Sequence, residues 1–508
     1  MAYSITENER QVLAASRGTL VVRNSGHGRY LDVSVRVGSP KLDNYHRIQG
    51  ERPQFTSGTA ISLDDNSAAI RNRVWQETDR VYRLAAQRFI TLKTSTQVKL
   101  AGGDSSDDFS IEEPSVFSEN PGRLSPLGDW GDRIRKLSLV FGKYPAVISG
   151  TLVVIAQREN KWLANTEGSR IQHGRGFARV VITAQGKAGD GMTLETSETF
   201  DTDDVSRLPK DAAVAAAVER VAAELTALMR APVVDPFVGP AILSGRAAGV
   251  FFHEIFGHRI EGHRQKDDTD GQTFTKSVGQ AVLPGFLSVL SDPTRHASDG
   301  VDLNGWYQYD DEGVKARPVT LVDQGTLKTF LMSRTPIQGF NRSNGHGRRQ
   351  SGSEVVSRQS NLIVESTKTA PEAGLRQMLI AEMRRQGKPF GYFFKHVTGG
   401  FTTTDRRGVQ AFKVIPLVVY RVYPDGSPDE LVRGVDIVGT PLASFARILA
   451  TSDKREVFNG YCGAESGNVP VSAAAPALLV SEIEIQKKEA SRDRPPLLPA
   501  PAPAGGPQ

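Results

Sequence analysis

The run His253-Glu254-Ile255-Phe256-Gly257-His258 sets two imidazoles and a carboxylate side by side. Imidazole nitrogen is a good zinc ligand, and a carboxylate next to the first ligand can turn toward a water on the ion. In zinc peptidases with the HExxH pattern the histidines are four residues apart, about 40° around a helix, whereas five residues place them roughly 140° apart. A straight helix cannot aim both rings at one ion. Gly257, directly before His258, offers a way out, because glycine can leave the helical conformation or accept a bulge. The spacing therefore predicts a helix that is distorted or ends here.

Two imidazoles leave a catalytic zinc one protein ligand short. The candidates are His263, Asp267, Asp268 and Cys462. Cys462 is the best of them, being soft, anionic as a thiolate and the chain's only cysteine. It sits in GYCGAESGNVPV, a glycine-bounded setting that suits close approach to an ion and equally suits a turn. His263 is expected to be structural or solvent-exposed, since zinc catalysis wants an open position. His27, in SGHGRY, and His173, in QHGRG, read as ordinary loop residues. The DDTDG run lacks the spaced oxygens of a calcium loop and reads as a solvated acidic loop. By itself, a match to HExxxH fixes few positions, and a surface cluster would satisfy it.

The elements that must position these groups divide the chain at the proline-rich APVVDPFVGPA. Residues 1–232 read as an α+β domain, with an antiparallel sheet from about Leu139 to Phe200, a helix over NSAAIRNRVWQETDRVYRLAAQRFITLK and an Ala-rich helix from Asp211 to Met229. Residues 233–490 read as an antiparallel, barrel-like β domain with few helices. One of these, GRAAGVFFHEI, carries the motif, another is TAPEAGLRQMLIAEMRRQG, and strands include GTLKTFLM, QAFKVIPLVVYRVY and ALLVSEIEIQKK. Residues 491–508, rich in Pro and Ala, read as a disordered tail.

Lys and Arg (62) barely outnumber Asp and Glu (57), so nothing demands a polyanionic partner and no nucleic-acid role is expected. One cysteine excludes an intrachain disulfide. No apolar run reaches bilayer length, so no membrane role is expected. The expected location is the cytoplasm, although Ala2-Tyr3-Ser4-Ile5 reads as a strand without a lead-in and leaves room for an upstream export signal.

HEIFGH, the downstream TPIQGFNRSNGHGRRQS and GYCGAESGNVPVSAAAPALLVSEIEI together resemble the TldD/PmbA family of modulator-type metallopeptidases, in order and in spacing. The likeness is strong from about Gly245 to Ile485 and weaker over the N-terminal domain. It implies a TldD-like catalytic member holding one Zn2+ on His253, His258 and Cys462, with Glu254 as general base toward a metal-activated water. It further implies extended or unfolded peptides as substrates, added as a strand to a sheet edge, and a dimer with a PmbA/TldE-like chain or with itself. His346, Arg348 and Arg349 of SNGHGRRQS are candidate substrate-binding residues, since arginine forks suit planar anions; a solvated basic loop is the plain alternative. Gly400, in VTGGFTTTD, is a candidate on a substrate-facing edge. The rival functions are a cysteine hydrolase using Cys462 and an inactive peptide-binding or scaffold subunit.

Overall fold

The computed structural model describes residues 1–48, 51–94, 105–266, 272–404, 412–439 and 444–488. Asp267, Asp268 and the rest of DDTDG lie outside these residues, as does the tail from 491 to 508.

The first half of the chain folds around one sheet. Strand β1 (Ala2–Ser16) turns back through Arg17 and Gly18, both at positive φ, into β2 (Thr19–Ser34), the backbone hand that a tight hairpin requires. On its other side β1 pairs with β3 (Ser149–Asn165), which pairs in turn with β4 (Arg170–Lys187), and β4 with β5 (Thr193–Thr202), all antiparallel. Alternation sorts the faces. Leu152, Val154 and Ala156 of β3 and Val180, Ile182 and Ala184 of β4 point to one side. There they meet helices α2 (Trp130–Ser138) and α3 (Asp211–Leu228), the latter through Val214, Val218, Val221 and Leu225. Helix α1 (Ser67–Thr94) packs Val81 and Ala85 against Leu31 and Val33 of β2. His27 and His173, expected in loops, stand in β2 and β4, because the glycines around them are absorbed into long ladders.

The second half builds a closed barrel of five strands: β6 (Phe237–Leu243), β10 (Gly391–Thr402), β11 (Phe412–Val422), β12 (Val435–Gly439) and the far end of β14 (Gly467–Lys487), which returns to β6. All pairs are antiparallel except β6 with β10. The near end of β14 continues the sheet, pairing with β13 (Ile448–Ala464) in a long hairpin and with β9 (Asn361–Ser366), beyond which lie β7 (Leu287–Ser291) and β8 (Val319–Asp323). Helix α5 (Glu372–Gln386) covers one flank, and α4 (Gly245–Ile255) packs against β14, β10 and β13.

Two segments differ from their sequence reading. GTLKTFLM keeps only Thr326–Leu327 as strand, because Leu331 is drawn off to exchange backbone hydrogen bonds with Ile260 and Gly262, just past His258. GYCGAESGNVPV is the tip of the β13–β14 hairpin, with Cys462 in the ladder opposite Val469. Its glycines are tolerated within strands whose neighbours, Val469 and Val471, are buried.

No ladder joins the two sheets among the described strands. Polar contacts hold them together: Arg334 bonds Glu167 and the Ser110 carbonyl, Lys161 pairs with Asp311 at 2.7 Å, and Glu354 receives the backbone amides of Phe55 and Thr56. No described helix is long and apolar enough to cross a membrane.

Candidate metal centre

Helix α4 starts at Ser244, whose hydroxyl accepts the Ala247 amide, and every residue from Ala247 to Ile255 is buried. Such a helix is fixed by packing on all sides, with Phe251, Phe252 and the following Phe256 meeting Phe445. It ends at Ile255, as the spacing of the two histidines demands, and a tight turn, Gly257–Ile260, carries His258 back toward His253. Arg259 secures that ending. Its guanidinium donates to the carbonyls of Glu254 and Ile255, which the helix leaves unpaired, and to Thr402 Oγ1 of β10 at 2.9 Å.

Gly257 serves a different purpose from the expected one. Its φ is not positive, and a Cβ there would run into the side-chain amide of Gln359. Gln359 in turn donates to the His253 carbonyl at 3.3 Å. Glycine is needed for close approach rather than for backbone freedom.

Three ligand atoms converge from two distant parts of the chain. His253 Nε2 lies 3.2 Å and His258 Nε2 3.4 Å from Cys462 Sγ, and the three groups fall within 4.8 Å of one another. The two rings stand nearly perpendicular, 5.0 Å apart. Burial alone would push the Cys462 thiol up, but the His258 and His253 rings outweigh it and hold the thiol well below its ordinary range. Burial works against a charged His258, yet Cys462 and Glu261 raise it to about 10. The sulfur is thus disposed to be a thiolate, the form that binds a metal. A buried nitrogen-nitrogen-sulfur set of this spacing fits zinc, which takes such donors tetrahedrally.

Partners behind the ligands complete the arrangement. Glu261 accepts from His258 Nδ1 at 3.3 Å, leaving Nε2 to face the sulfur. This carboxylate is fully buried; desolvation would raise it, but His258, Arg264 and Arg358 keep it far below the usual range. Arg358, also fully buried, lies 3.4 Å from Glu261 and donates to the Cys462 carbonyl at 2.6 Å, so one guanidinium braces both sides of the cluster. His263 is buried and bonded to Glu465 rather than directed at the cluster. Sequence reasoning missed Glu261, Arg358 and Gln359. Glu261, three residues beyond His258, left a local trace; the other two left none.

Glu254 lies beside the cluster, its Oε2 3.9 Å from His258 Nε2, and burial raises its carboxyl above the ordinary value. Gly400 of β10 backs it, since a Cβ at that position would sit 2.7 Å from Glu254 Cγ. All five residues line a cleft of about 640 Å3 whose opposite wall is β4 and β5. The other candidates are placed elsewhere. His346 is fully buried between Asn344 and Ser291, Arg348 donates to the Gln359 carbonyl over the Tyr307 ring, and Arg349 faces Asp32. None of these three lines the cleft.

The match to known proteins falls where this centre lies. Residues 238–487, a stretch that includes the barrel and the buried cluster, fit the profile of the PmbA/TldA metallopeptidase C-terminal domain. The chain's C-terminal domain is that of the TldD/PmbA family. The chain is 22% identical to a metalloprotease of Methanothermobacter thermautotrophicus over 90% of this chain and 96% of the other. It is 26% identical to the zinc metalloprotease TldD homolog of Saccharolobus solfataricus over 48% of this chain, spanning about half (51%) of that relative. The solved structure of TldE from Thermococcus kodakarensis shares the fold, with a TM-score of 0.62 and 15% identity across 96% of both chains.

Proposed function

We propose that the protein is a zinc-dependent peptidase, a TldD-like catalytic member of its family, cutting peptide bonds in extended or unfolded polypeptides. The observation that carries this reading is the convergence of His253, His258 and Cys462 on one point, with the Glu254 carboxylate beside them and a cleft in front. A bound zinc would supply Lewis-acid polarisation and lower the pKa of water. His253, His258 and Cys462 would hold it, Glu261 fixing the tautomer of His258 and Arg358 steadying the strand that bears the sulfur. Glu254 takes the proton of the attacking water and returns it to the leaving amine, a double duty suited to a carboxyl whose affinity for protons burial has raised.

The course of the substrate follows from β10. Strand β6 pairs only with its residues Tyr392, Phe393 and Phe394, so the stretch from Val397 to Thr402 has β11 on one side and the cleft on the other. An extended peptide laid along that edge would pass Gly400 and Glu254. The family resemblance supports assembly with a TldE-like chain or a second copy. Helix α1 supplies apolar surface for it, with Trp75 68% and Ile90 64% exposed.

The test is metal content and peptide cleavage, wild type beside His258→Ala, Cys462→Ala and Glu254→Gln. About one zinc per chain is expected, lost in the first two variants and kept in the third, with cleavage lost in all. Chelation should abolish activity and added zinc restore it. Activity that survives chelation but not thiol alkylation would instead establish Cys462 as a nucleophile, and zinc without cleavage a scaffold role.

A further inference from the structure

One cation in the cleft is left without a use by the chemistry above. Arg246 stands in the first turn of α4, and its side chain lines the same cleft as Val250 and His253. Seven residues separate Arg246 from His253, which returns the helix to within about 20° of the same face and sets the two about 10 Å apart along the axis. Helical side chains lean toward the N-terminus, so the guanidinium reaches farther still from the metal ligands.

Its surroundings leave it half-buried and, among the described residues, without a direct ion pair. Among the described residues its guanidinium makes one hydrogen bond, a long one of 3.4 Å to Thr199 Oγ1 of β5, stands 6.0 Å from the centre of the Phe458 ring, and has no carboxylate within ion-pair distance. Of the acids near it, Asp201 is gripped by Arg179 at 2.5 and 3.0 Å and Glu198 by Arg220 at 2.6 Å, while Glu456 accepts the backbone amide of Arg246 itself. A half-buried guanidinium with its fork unfilled favours a planar anion.

We infer that Arg246 is a specificity-determining residue that receives a carboxylate of the substrate. An extended peptide advances about 3.3 Å per residue, so this carboxylate lies about three or four residues from the bond to be cut. It belongs either to an Asp or Glu side chain or to the end of the peptide chain. The inference rests on the peptidase reading for the position of the cut, and it assigns the cleft a substrate class: acidic or carboxy-terminal peptide segments.

Binding can be read apart from cleavage in the Glu254→Gln protein. Fluorescein-labelled peptides with Glu or Gln three and four residues from a central site, each ending in a free acid or an amide, are titrated by anisotropy. The expected result is roughly tenfold tighter binding of the carboxylate peptides, lost on adding Arg246→Gln, partly restored by Arg246→Lys, with the neutral peptide unaffected. The side-chain and chain-end pairs show which carboxylate is read. Equal affinities, no binding of either peptide, or a preference that survives Arg246→Gln would overturn the inference. In the wild-type background, Arg246→Gln should raise KM for the favoured peptides and leave kcat alone. Selective binding without wild-type cleavage would refute the peptidase reading while leaving the carboxylate site in place.

Discussion

Glu261 shows how much of the centre depends on a residue that touches no substrate. Its carboxylate joins His258 to Arg264 and Arg358, and Arg358 joins it to the Cys462 carbonyl. Glu261→Gln keeps the shape and removes the charge. Zinc affinity is expected to fall roughly 10- to 100-fold, measured by competition with a chromophoric chelator; unchanged affinity would mean that His258 needs no help from behind. A different histidine contributes to acid stability. Burial lowers His346 to about 3, against roughly 6.5 in an unfolded chain. Between those values the unfolded chain takes up a proton that the folded chain refuses, so stability is complete above about pH 6.5 and declines as pH falls toward 3. The loss inside that window is at most about 1.4 kcal/mol per pH unit. Urea unfolding near pH 7 and near pH 5 should show a smaller loss for His346→Gln than for wild type.

At the scale of elements, the sequence revealed the helix bearing the motif and the place where it stops, because both follow from the five-residue spacing of His253 and His258. It revealed the barrel through alternating runs that became β11 and β14. The reason for Gly257 was hidden, since the side chain that crowds it, Gln359, comes from a loop about a hundred residues away. The burial of SNGHGRRQS was hidden for the same reason: Asp32, Ser291, Tyr307 and Gln359, which receive His346, Arg348 and Arg349, carry no local signal. The glycines around Cys462 suited a turn as well as an approach to an ion, and the residue lies in a ladder, because pairing with Val469 is decided by the whole hairpin. Gly257→Ala makes the crowding testable. It should cost about 1–3 kcal/mol by overpacking and reduce zinc occupancy, and Gln359→Ala in the same chain should recover part of the loss. Simple additivity of the two changes in denaturant unfolding would show that Gln359 is not what Gly257 accommodates.

For the molecule as a whole, the cleft belongs to both sheets: α4, β10 and β13 bring the reactive groups, while β4 and β5 close the facing wall. The outer surface of α1 stands apart from that work, with Trp75, Tyr82, Leu84 and Ile90 turned to solvent. If this surface joins two chains, Trp75→Glu with Ile90→Glu should turn dimers into monomers in light scattering without loss of helix content. An unchanged mass would move the interface elsewhere.

The ligand set also has a history in time. His253 and Cys462 are 209 residues apart, and among the described residues nothing nearer in sequence stands in for the sulfur. At ordinary speeds of translation, that interval is on the order of ten to forty seconds. Through it the helix with its two imidazoles has left the ribosome while the thiolate is not yet made. A nascent chain therefore cannot bring the two imidazoles and the thiolate together until the closing hairpin has been made.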